Sequence, residues 1–304
     1  MTAAPRILLL GAEGQVGWEL ARSLQPLGAV RALTRKEADL SNPGALSTLV
    51  RTESPSIIVN AAAWTAVDAA EQREAEATLV NGEAPGVLAE AARRCGALLV
   101  HYSTDYVFDG SGSHAWREDA VPAPINAYGR SKLAGERAIA QAGGDWLILR
   151  TCWVYASRGH NFVRTMLRLG AERERLRVVN DQAGAPTSAR LIAEVTAQVL
   201  AVSRAERANG RFRSAIHHLC AAGETTWFGL AAATFDRWRA LVPDPALALR
   251  ALEPIAAVDY PVPAPRPSNS RLDCSGLEQR FGLHLPAWQT GLDLVLAELA
   301  QTGR

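Results

Sequence analysis

Short apolar runs alternate with longer amphipathic segments through the first half of the chain. Runs of about four to eight apolar residues are typical of buried strands, whereas apolar positions three or four residues apart are typical of helices. A helix is predicted at Gln15–Leu24, and a helical segment precedes each later strand. The predicted strands are Arg6–Leu10, Ala29–Thr34, Ile57–Asn60, Leu98–Ser103 and Trp146–Arg150. Apolar strands that alternate with helices indicate a parallel sheet covered on both faces.

The regular alternation ends after Arg150. Helices are predicted at Asn161–Arg173 and Ser188–Val202, with loops between them. The segment Pro243–Asn269 is rich in proline, which lacks a backbone donor, and we predict a loop there that could lie over a ligand.

These patterns predict an α/β protein, with a Rossmann-type doubly wound parallel sheet and a smaller, mainly C-terminal substrate lobe. The dinucleotide-binding domain is expected to span residues 1–155 and to receive a helix and strand from about residues 186–215. Residues 156–304 are expected to form mainly the substrate-binding lobe.

Composition and charge argue against several function classes. With 48% hydrophobic and 21% charged residues the chain can bury a large core, and its formal net charge of +1 gives no support for binding nucleic acid or an anionic membrane. The four cysteines form no CxxC pair, which favours a reducing cytosol over a disulfide-linked fold. The apolar run Ile7–Leu10 is too short for a signal peptide, and no run could span a bilayer. A cytoplasmic protein is expected.

A glycine-rich segment directly follows the first predicted strand. It contains Gly11, Gly14 and Gly17, with Gln15 and Val16 between the last two. The spacing is GxxGxxG, shifted from the GxGxxG of the usual dinucleotide fingerprint. Glycine-rich turns also occur as plain loops, but here the segment joins a strand to a helix, where free N–H groups can hold a pyrophosphate. We predict that it binds a dinucleotide.

The end of the second predicted strand bears on the choice of cofactor. NAD-binding folds usually place an acidic residue there to hold the adenosine ribose, but this chain has Thr34, Arg35 and Lys36. The basic pair could meet the 2′-phosphate of NADPH, or it could simply be solvated surface. Asp39 and Leu40, slightly further on, are expected to cover the adenine. Both NADPH and NADH remain candidates.

The strongest chemical signal is the YxxxK pattern of Tyr128 and Lys132. Residues four apart share one face of a helix. An ammonium group beside a phenol stabilises the phenolate and should lower the tyrosine pKa from its usual value of about 10. Thr104 follows a predicted strand upstream, where its hydroxyl could bond to a substrate carbonyl, although it could also simply begin a turn. The three residues are predicted to be catalytic.

At these residues the chain resembles the extended short-chain dehydrogenase/reductase superfamily, and more narrowly the dTDP-4-dehydrorhamnose reductases. The resemblance covers nearly the whole chain. It is carried by the segments Gly14–Leu20, Val59–Ala63, Thr65–Asp68, His101–Phe108, Tyr128–Glu136, Arg150–Tyr155, Asn180–Gln182, Gly184–Thr187 and Arg266–Leu272.

The resemblance implies an activity and roles for matching residues. The activity is NAD(P)H-dependent reduction of the C4 keto group of dTDP-4-dehydro-L-rhamnose, the last step of dTDP-rhamnose synthesis, which feeds polysaccharides such as lipopolysaccharide O-antigen. Tyr128 would protonate the C4 oxygen, Lys132 would tune it and bind the nicotinamide ribose, and Thr104 would polarise the carbonyl. The implied substrate ligands are Asp105, Trp153, Arg266 and Asn269, and the implied cofactor ligands include Gly14, Gln15, Val16, Ala62, Ala63 and Thr65.

The chain also departs from the pattern, and alternatives stay open. Thr34 stands where the family commonly has an acidic residue. Some members form dimers bridged by magnesium, but Arg190 replaces one of the carboxylates involved, so we predict no metal. The protein could be a monomer or a homodimer. Another nucleotide-sugar 4-keto reductase or epimerase, or a non-catalytic NADP-binding regulatory subunit, are the alternative functions.

Overall fold

A computed structural model describes residues 4–243 and 245–302, so residues 1–3, 244 and 303–304 of the predicted domains lie outside it. Thirteen strands are described: β1 (Arg6–Leu10), β2 (Ala29–Leu33), β3 (Ile57–Asn60), β4 (Leu98–Thr104), β5 (Asp145–Thr151), β6 (Val154–Tyr155), β7 (Arg175–Val179), β8 (Ala183–Gly184), β9 (Thr187–Ser188), β10 (Ala215–His218), β11 (Thr225–Thr226), β12 (Ala251–Ile255) and β13 (Asn269–Ser270).

The helices among these residues surround the strands. They are α1 (Gln15–Ser23), α2 (Pro43–Glu53), α3 (Val67–Gln72), α4 (Glu74–Thr78), α5 (Ala84–Cys95), α6 (Ala127–Ala142), α7 (Phe162–Glu172), α8 (Ala189–Ala208), α9 (Trp227–Leu241), α10 (Ser275–Phe281) and α11 (Trp288–Thr302). A π-helical turn, Leu79–Glu83, joins α4 to α5, and a 3₁₀ turn, Asp105–Val107, follows β4. No helix of the described residues is both long and apolar enough to cross a membrane.

Six strands form one parallel sheet in the order β10-β5-β4-β3-β1-β2. β2 lies on one side of β1, whereas β3, β4, β5 and β10 follow one another on the other side. The strand order therefore reverses between β1 and β3. Ligands of open α/β sheets bind outside the carboxyl ends of the strands at such a reversal. The predicted doubly wound, Rossmann-type sheet is therefore confirmed.

Alternating side chains of the central strands supply two separate cores. Ile7 and Leu9 point to one face, where they join side chains of α1, α8 and α10. Leu8 and Leu10 point to the other face, which α2 and α5 cover. Because successive strand residues face opposite sides, a strand buried on both faces must be apolar throughout. This requirement explains the run Arg6–Leu10, in which only Arg6 is exposed.

The smaller unit has short strands and its own core. β11, β8 and β13 form a three-stranded sheet, and β12-β7 and β6-β9 form two-stranded sheets. Side chains of α7, α9 and α11 pack together beside them. In contrast, α8 packs on α1, and β10 extends the large sheet, so this later part of the chain returns to the first unit.

Most predicted elements are confirmed to within one or two residues, although α8 continues to Ala208. The prediction of a loop throughout Pro243–Asn269 was wrong in part, because β12 lies within it. β12 pairs in parallel with β7 and places Pro254 opposite Val178. In a two-stranded sheet each strand has a free edge, where proline's missing N–H costs no ladder hydrogen bond.

Candidate active site

The glycine-rich segment forms a tight turn between β1 and α1. Gly11 has a φ of +80°, and a Cβ atom there would lie 2.7 Å from the backbone nitrogen of Ala62. A Cβ atom on Gly17 would lie 2.0 Å from the carbonyl oxygen of Gly11. Side chains at both positions would therefore collide with backbone atoms. At Gly14 the nearest atom would be 3.2 Å away, so close packing constrains that glycine less.

The first turn of α1 is suited to an anion. Gly14 is its N-cap and offers no side-chain acceptor to the first N–H groups of the helix. Such groups, together with the helix dipole, favour phosphate at this position. The side chain of Gln15 accepts a hydrogen bond from Asn161 at 2.8 Å, while Val16 packs against the core. The residues present thus fit the pyrophosphate of a dinucleotide.

The exit of β2 contains an acidic residue that the sequence patterns did not single out. The carboxylate of Glu37 folds back and accepts hydrogen bonds from the backbone N–H and the hydroxyl of Thr34, at 2.9 and 3.0 Å. These bonds lower the pKa of Glu37. Arg35 lies 3.6 Å from the Asp39 carboxylate and is largely exposed, and Lys36 is exposed as well. Acidic and basic side chains therefore lie together at the exit of β2.

Leu40 lies in the interior. Its side chain is buried in the sheet core with Leu33 and Leu46, and its expected contact with adenine stays a prediction. Asp39, in contrast, is partly exposed and caps the backbone N–H of Ser41 at 2.9 Å. The apolar side chain of Leu40 packs against the other apolar side chains of this core.

The exit of β3 lies against the glycine turn. The backbone of Ala62 contacts Gly11, while Ala63 and Thr65 are exposed on the same loop. A hydrogen bond anchors this loop to the end of β3, since the N–H of Ala62 donates to Asn60 Oδ1 at 3.2 Å. The three predicted cofactor-lining residues are therefore on the side of the sheet where the glycine turn lies.

The predicted catalytic residues come from β4 and α6. Thr104 ends β4, and α6 begins at Ala127, capped by the side chain of Asn126, which accepts from Gly129 N at 2.8 Å. Gly129 lets α6 approach β4 closely, because a Cβ atom there would lie 2.1 Å from the carbonyl oxygen of Tyr106. The close approach places Tyr128 beside Tyr106, with their rings edge to face at 5.6 Å.

Tyr128 is a neutral phenol in this structure. Burial raises its pKa and so does the nearby charge of Asp105, while a hydrogen bond with Thr104 lowers it. The sequence-based expectation that Lys132 lowers the pKa of Tyr128 is not met here, because burial dominates. A phenol that keeps its proton remains able to donate it to an alkoxide formed beside it.

Lys132 lies one turn after Tyr128 on α6, and its side chain is in the protein interior. Its Nζ atom donates to the carbonyl oxygen of Tyr102 at 2.6 Å and lies 3.2 Å from Nε2 of His101. Only 2% of the residue's surface is exposed. Burial lowers the pKa of Lys132 to about 8, although Glu136 raises it.

Asp105 is buried next to Thr104 and accepts a hydrogen bond from its hydroxyl at 2.9 Å. Burial raises the pKa of Asp105 to about 7, against the lowering effects of Ser270 and Thr104. Asp105 therefore changes charge near neutral pH. Its Oδ2 atom is buried without a hydrogen bond, which marks it as a polar group available to a ligand.

Trp153 forms an aromatic stack that the sequence did not predict. Its ring lies 3.7 Å from that of Trp227, at an interplanar angle of 12°. Trp153 has a φ of +48°, and its indole lies against Gly184, where a Cβ atom would be 2.8 Å from the ring. A left-handed, bulky residue is costly and is held by the surrounding contacts. Trp227 comes from α9, 74 positions along the chain, and no local pattern identifies it as a partner.

Arg266 reaches the site from the proline-rich segment. Its Nη2 atom pairs with Asp68 at 2.8 Å, and Asp68 also accepts from the N–H of Ala264 at 3.1 Å. The Nη1 atom of Arg266 is buried without a partner. Burial raises the pKa of Tyr106 and the charge of Arg266 opposes this rise, which places Arg266 near Tyr106 and its neighbour Tyr128. A buried guanidinium nitrogen without a partner suits a phosphate oxygen.

Asn269 was predicted to bind substrate, but the structure uses its amide elsewhere. Nδ2 donates to the carbonyl oxygens of Ser111 and His114, at 3.2 and 2.8 Å, and Oδ1 accepts two bonds from Arg271. Only 2% of the residue's surface is exposed. Asn269 therefore holds the loop after β4, and its contact with substrate stays a prediction.

Arg190 pairs with two carboxylates, Glu19 at 3.8 Å and Glu298. The guanidinium of Arg190 therefore places a positive charge beside these two carboxylates. Among residues 4–243 and 245–302, no group of three or more His, Cys, Asp or Glu side chains has a geometry suited to a metal ion.

Comparison with protein families matches residues 5–301 to the RmlD substrate binding domain. A dTDP-4-dehydrorhamnose reductase of Burkholderia thailandensis is 54% identical, with 97% of this chain and 99% of the relative covered. The Escherichia coli K12 enzyme of the same name is 48% identical, with 97% and 98% covered.

A solved structure agrees with the sequence relatives. The dTDP-4-dehydrorhamnose reductase of Bacillus anthracis, in complex with NADP, superposes with a TM-score of 0.86 at 32% identity, covering 97% of this chain and 99% of that one. The chain therefore belongs to the dTDP-4-dehydrorhamnose reductase family.

Proposed function

We propose that the protein reduces the C4 keto group of dTDP-4-dehydro-L-rhamnose to the alcohol, with NADPH or NADH as the reductant. The observation that carries this proposal is that Thr104, Tyr128 and Lys132 lie together where β4 meets α6, with Thr104 hydrogen bonded to Tyr128 and Lys132 bonded to β4. The names of the relatives supply the substrate. The product, dTDP-L-rhamnose, would serve synthesis of cell-surface polysaccharide.

Tyr128, Thr104 and Asp105 would handle the proton, and Lys132 would hold the cofactor. The bound cofactor would supply a hydride to C4. Tyr128 keeps its proton, because burial raises its pKa, and donates it to the C4 oxygen. Asp105, when protonated, can donate to Thr104 Oγ1, which frees the Thr104 hydrogen for the same oxygen. Lys132 has a further N–H for the nicotinamide ribose.

The cofactor would lie across the reversal of strand order. Gly11, Gly14, Gln15, Val16 and Gly17 would hold the pyrophosphate, and Ala62, Ala63 and Thr65 would line the rest. Arg35 and Lys36 could meet a 2′-phosphate, whereas Glu37 could accept from ribose hydroxyls. With both kinds of group present, we expect the enzyme to use NADPH and NADH.

The substrate would lie between the sheet and the smaller unit. The buried Nη1 of Arg266 would bind a phosphate oxygen, Asp105 would contact the sugar, and the stacked Trp153 and Trp227 would offer a flat wall to sugar or base. The large sheet, with α8 and β10, would thus bind the cofactor, and the C-terminal unit mainly the sugar nucleotide.

A reducing compartment fits this reaction. The four cysteines are all free thiols, including Cys152 and Cys220, whose sulfur atoms are 3.4 Å apart. We propose that the enzyme works in the cytoplasm, where thiols stay reduced.

The decisive experiment is product identification. The purified protein is incubated with dTDP-4-keto-6-deoxyglucose, a 3,5-epimerase and either NADPH or NADH, and the products are identified by NMR. We expect dTDP-L-rhamnose and one equivalent of oxidised cofactor. Loss of substrate stereochemistry without net cofactor oxidation, with NAD retained through purification, would indicate an epimerase. Cofactor binding without turnover of any 4-keto sugar would indicate a regulatory subunit.

A further inference from the structure

The proposed chemistry uses Lys132 but gives no role to His101, the side chain nearest its amine on the strand side. His101 lies on β4 with 1% of its surface exposed, and its Nε2 atom is 3.2 Å from Lys132 Nζ. Its other ring nitrogen, Nδ1, lies 3.1 Å from Nδ2 of Asn60. Asn60 is its register partner on β3 and is equally buried. Two buried polar side chains beside a catalytic amine require an explanation.

The direction of the hydrogen bonds in this group follows from one backbone contact. The N–H of Ala62 can only donate, and it points at the amide of Asn60 at 3.2 Å, so the atom that it meets is the oxygen. The NH₂ group of Asn60 must then face Nδ1 of His101 and donate to it. Because Nδ1 accepts, the ring proton of a neutral His101 sits on Nε2. Burial lowers the pKa of His101, which keeps the ring neutral.

The Nε2–H group therefore points at Lys132 Nζ. An ammonium group has only donors, whereas an uncharged amine has one lone pair that can accept this hydrogen. The carbonyl oxygen of Tyr102, 2.6 Å away, accepts one N–H in either form. We propose that Asn60 and His101 are positioning residues that form a one-way hydrogen-bond chain from Ala62 to Lys132 and disfavour the ammonium form of Lys132.

The other polar groups around Lys132 have partners of their own. The hydrogen-bond chain through Asn60 and His101 is therefore the main polar influence on its amine from the side of β4. Glu136, one turn along α6, favours the ammonium form. Arg150 from β5 binds both oxygens of Glu136, at 2.8 and 2.6 Å, and so balances its charge. The Tyr102 phenol faces Thr196, at 2.7 Å. Burial lowers the pKa of Lys132 to about 8 against the opposing charge of Glu136, and the chain would lower it further.

The inference rests on the proposed function only in giving Lys132 a role beside Tyr128. It adds a link between binding and chemistry, because the chain starts at Ala62, on the loop proposed to line the cofactor. A shift of that loop would loosen the bond to Asn60 and let the His101 ring proton move. Lys132 would then gain an acceptor for its ammonium form when cofactor is bound.

NMR of the cofactor-free protein tests the chain without any turnover, so a failure here is separate from failure of the proposed activity. Lys36 and Lys132 are the two lysines in the sequence, and Lys36 is exposed. Lysine labelled with ¹³C at Cε therefore gives two signals, which a K36R variant assigns. We expect Lys132 to titrate at least two pH units below the usual lysine pKa of about 10.4. A midpoint at that usual value would overturn the proposal.

The ring proton of His101 is measured in the same protein by ¹⁵N labelling of histidine, with assignment through a His101→Gln variant. The chain requires a neutral ring protonated on Nε2 in the wild-type protein. A ring protonated on Nδ1, or a charged ring at neutral pH, would overturn the proposal. The wild-type lysine titration needs no altered side chain in the hydrogen-bond chain itself, because K36R assigns it, so it decides even if the variants at Asn60 and His101 fail to fold.

Asn60→Asp should reverse the chain. The carboxylate accepts from both Ala62 and Nδ1–H of His101, so the ring proton moves to Nδ1 and Nε2 can accept from an ammonium. The Lys132 midpoint should rise by about one pH unit or more. An Asn60→Asp, His101→Phe double variant keeps the added charge but cuts the chain, and should show less than half of that rise. An equal rise would show that charge acts through space and would overturn the role of His101.

Discussion

The raised pKa of Asp105 makes the stability of the cofactor-free protein depend on pH in an unusual direction. Carboxylates are ordinarily more acidic in a folded protein than in an unfolded chain. Asp105 behaves oppositely, because burial raises its pKa from 3.8 to about 7. Asp105→Asn keeps the shape and the acceptor for Thr104 but removes the titration, so the variant isolates this effect.

The sign and size follow from linkage. Since the folded state holds this proton more tightly than the unfolded chain, unfolding releases a proton between about pH 4 and pH 7. The free energy of unfolding therefore falls as pH rises through that window and is flat above it. Each pH unit between the two pKa values corresponds to about 1.4 kcal/mol, so ionisation of Asp105 costs up to about 4 kcal/mol. Between pH 5 and pH 8 the Asp105→Asn variant should gain about 2–3 kcal/mol over the wild type.

Urea unfolding followed by tryptophan fluorescence, at pH 5 and pH 8, measures this difference, because other carboxylates contribute equally to both proteins. Asp109→Asn is the matched control. Asp109 is exposed, and its bonds to Ser111 lower its pKa, so it is ionised in both states at pH 5 and pH 8, and the stability difference between this variant and the wild type should not change between them. If the advantage of Asp105→Asn were the same at both pH values, the buried carboxylate would not be titrating near neutrality and the reasoning would fail.

Four further outcomes test the site. Tyr128→Phe should keep fold and cofactor affinity but lower kcat by about two to four orders of magnitude; a near-normal rate would reject Tyr128 as the acid. Arg35→Asp should lower kcat/KM with NADPH more than with NADH, whereas equal ratios in variant and wild type would make Arg35 solvated surface. Arg266→Ala should raise KM for the sugar nucleotide by about tenfold to a hundredfold at unchanged cofactor affinity; an unchanged KM with unchanged Tm would remove Arg266 from the site. Gly17→Ala should weaken NADPH binding, measured by fluorescence titration, because its Cβ would meet the Gly11 oxygen; wild-type affinity would show that the turn adapts.

Features that depend on nearby residues could be predicted from the sequence. The strand Arg6–Leu10 was predicted correctly because burial on both faces demands an unbroken apolar run. The helix carrying Tyr128 and Lys132 was predicted because four-residue spacing defines a helical face. The glycine turn was predicted from the spacing of Gly11, Gly14 and Gly17 next to a strand, and the resemblance then supplied the family and the substrate class.

Features that depend on contacts between distant segments were decided only by the tertiary structure. The amide partners of Asn269, Ser111 and His114, lie over 150 positions away, so no local pattern identifies them. The Trp153–Trp227 stack and the bond from His101 to Lys132 likewise join separate elements. Apolar or amide groups look alike in a sequence whether they face ligand or protein, because their chemistry is the same in both places. Which partner each one meets is set by how the strands and helices pack.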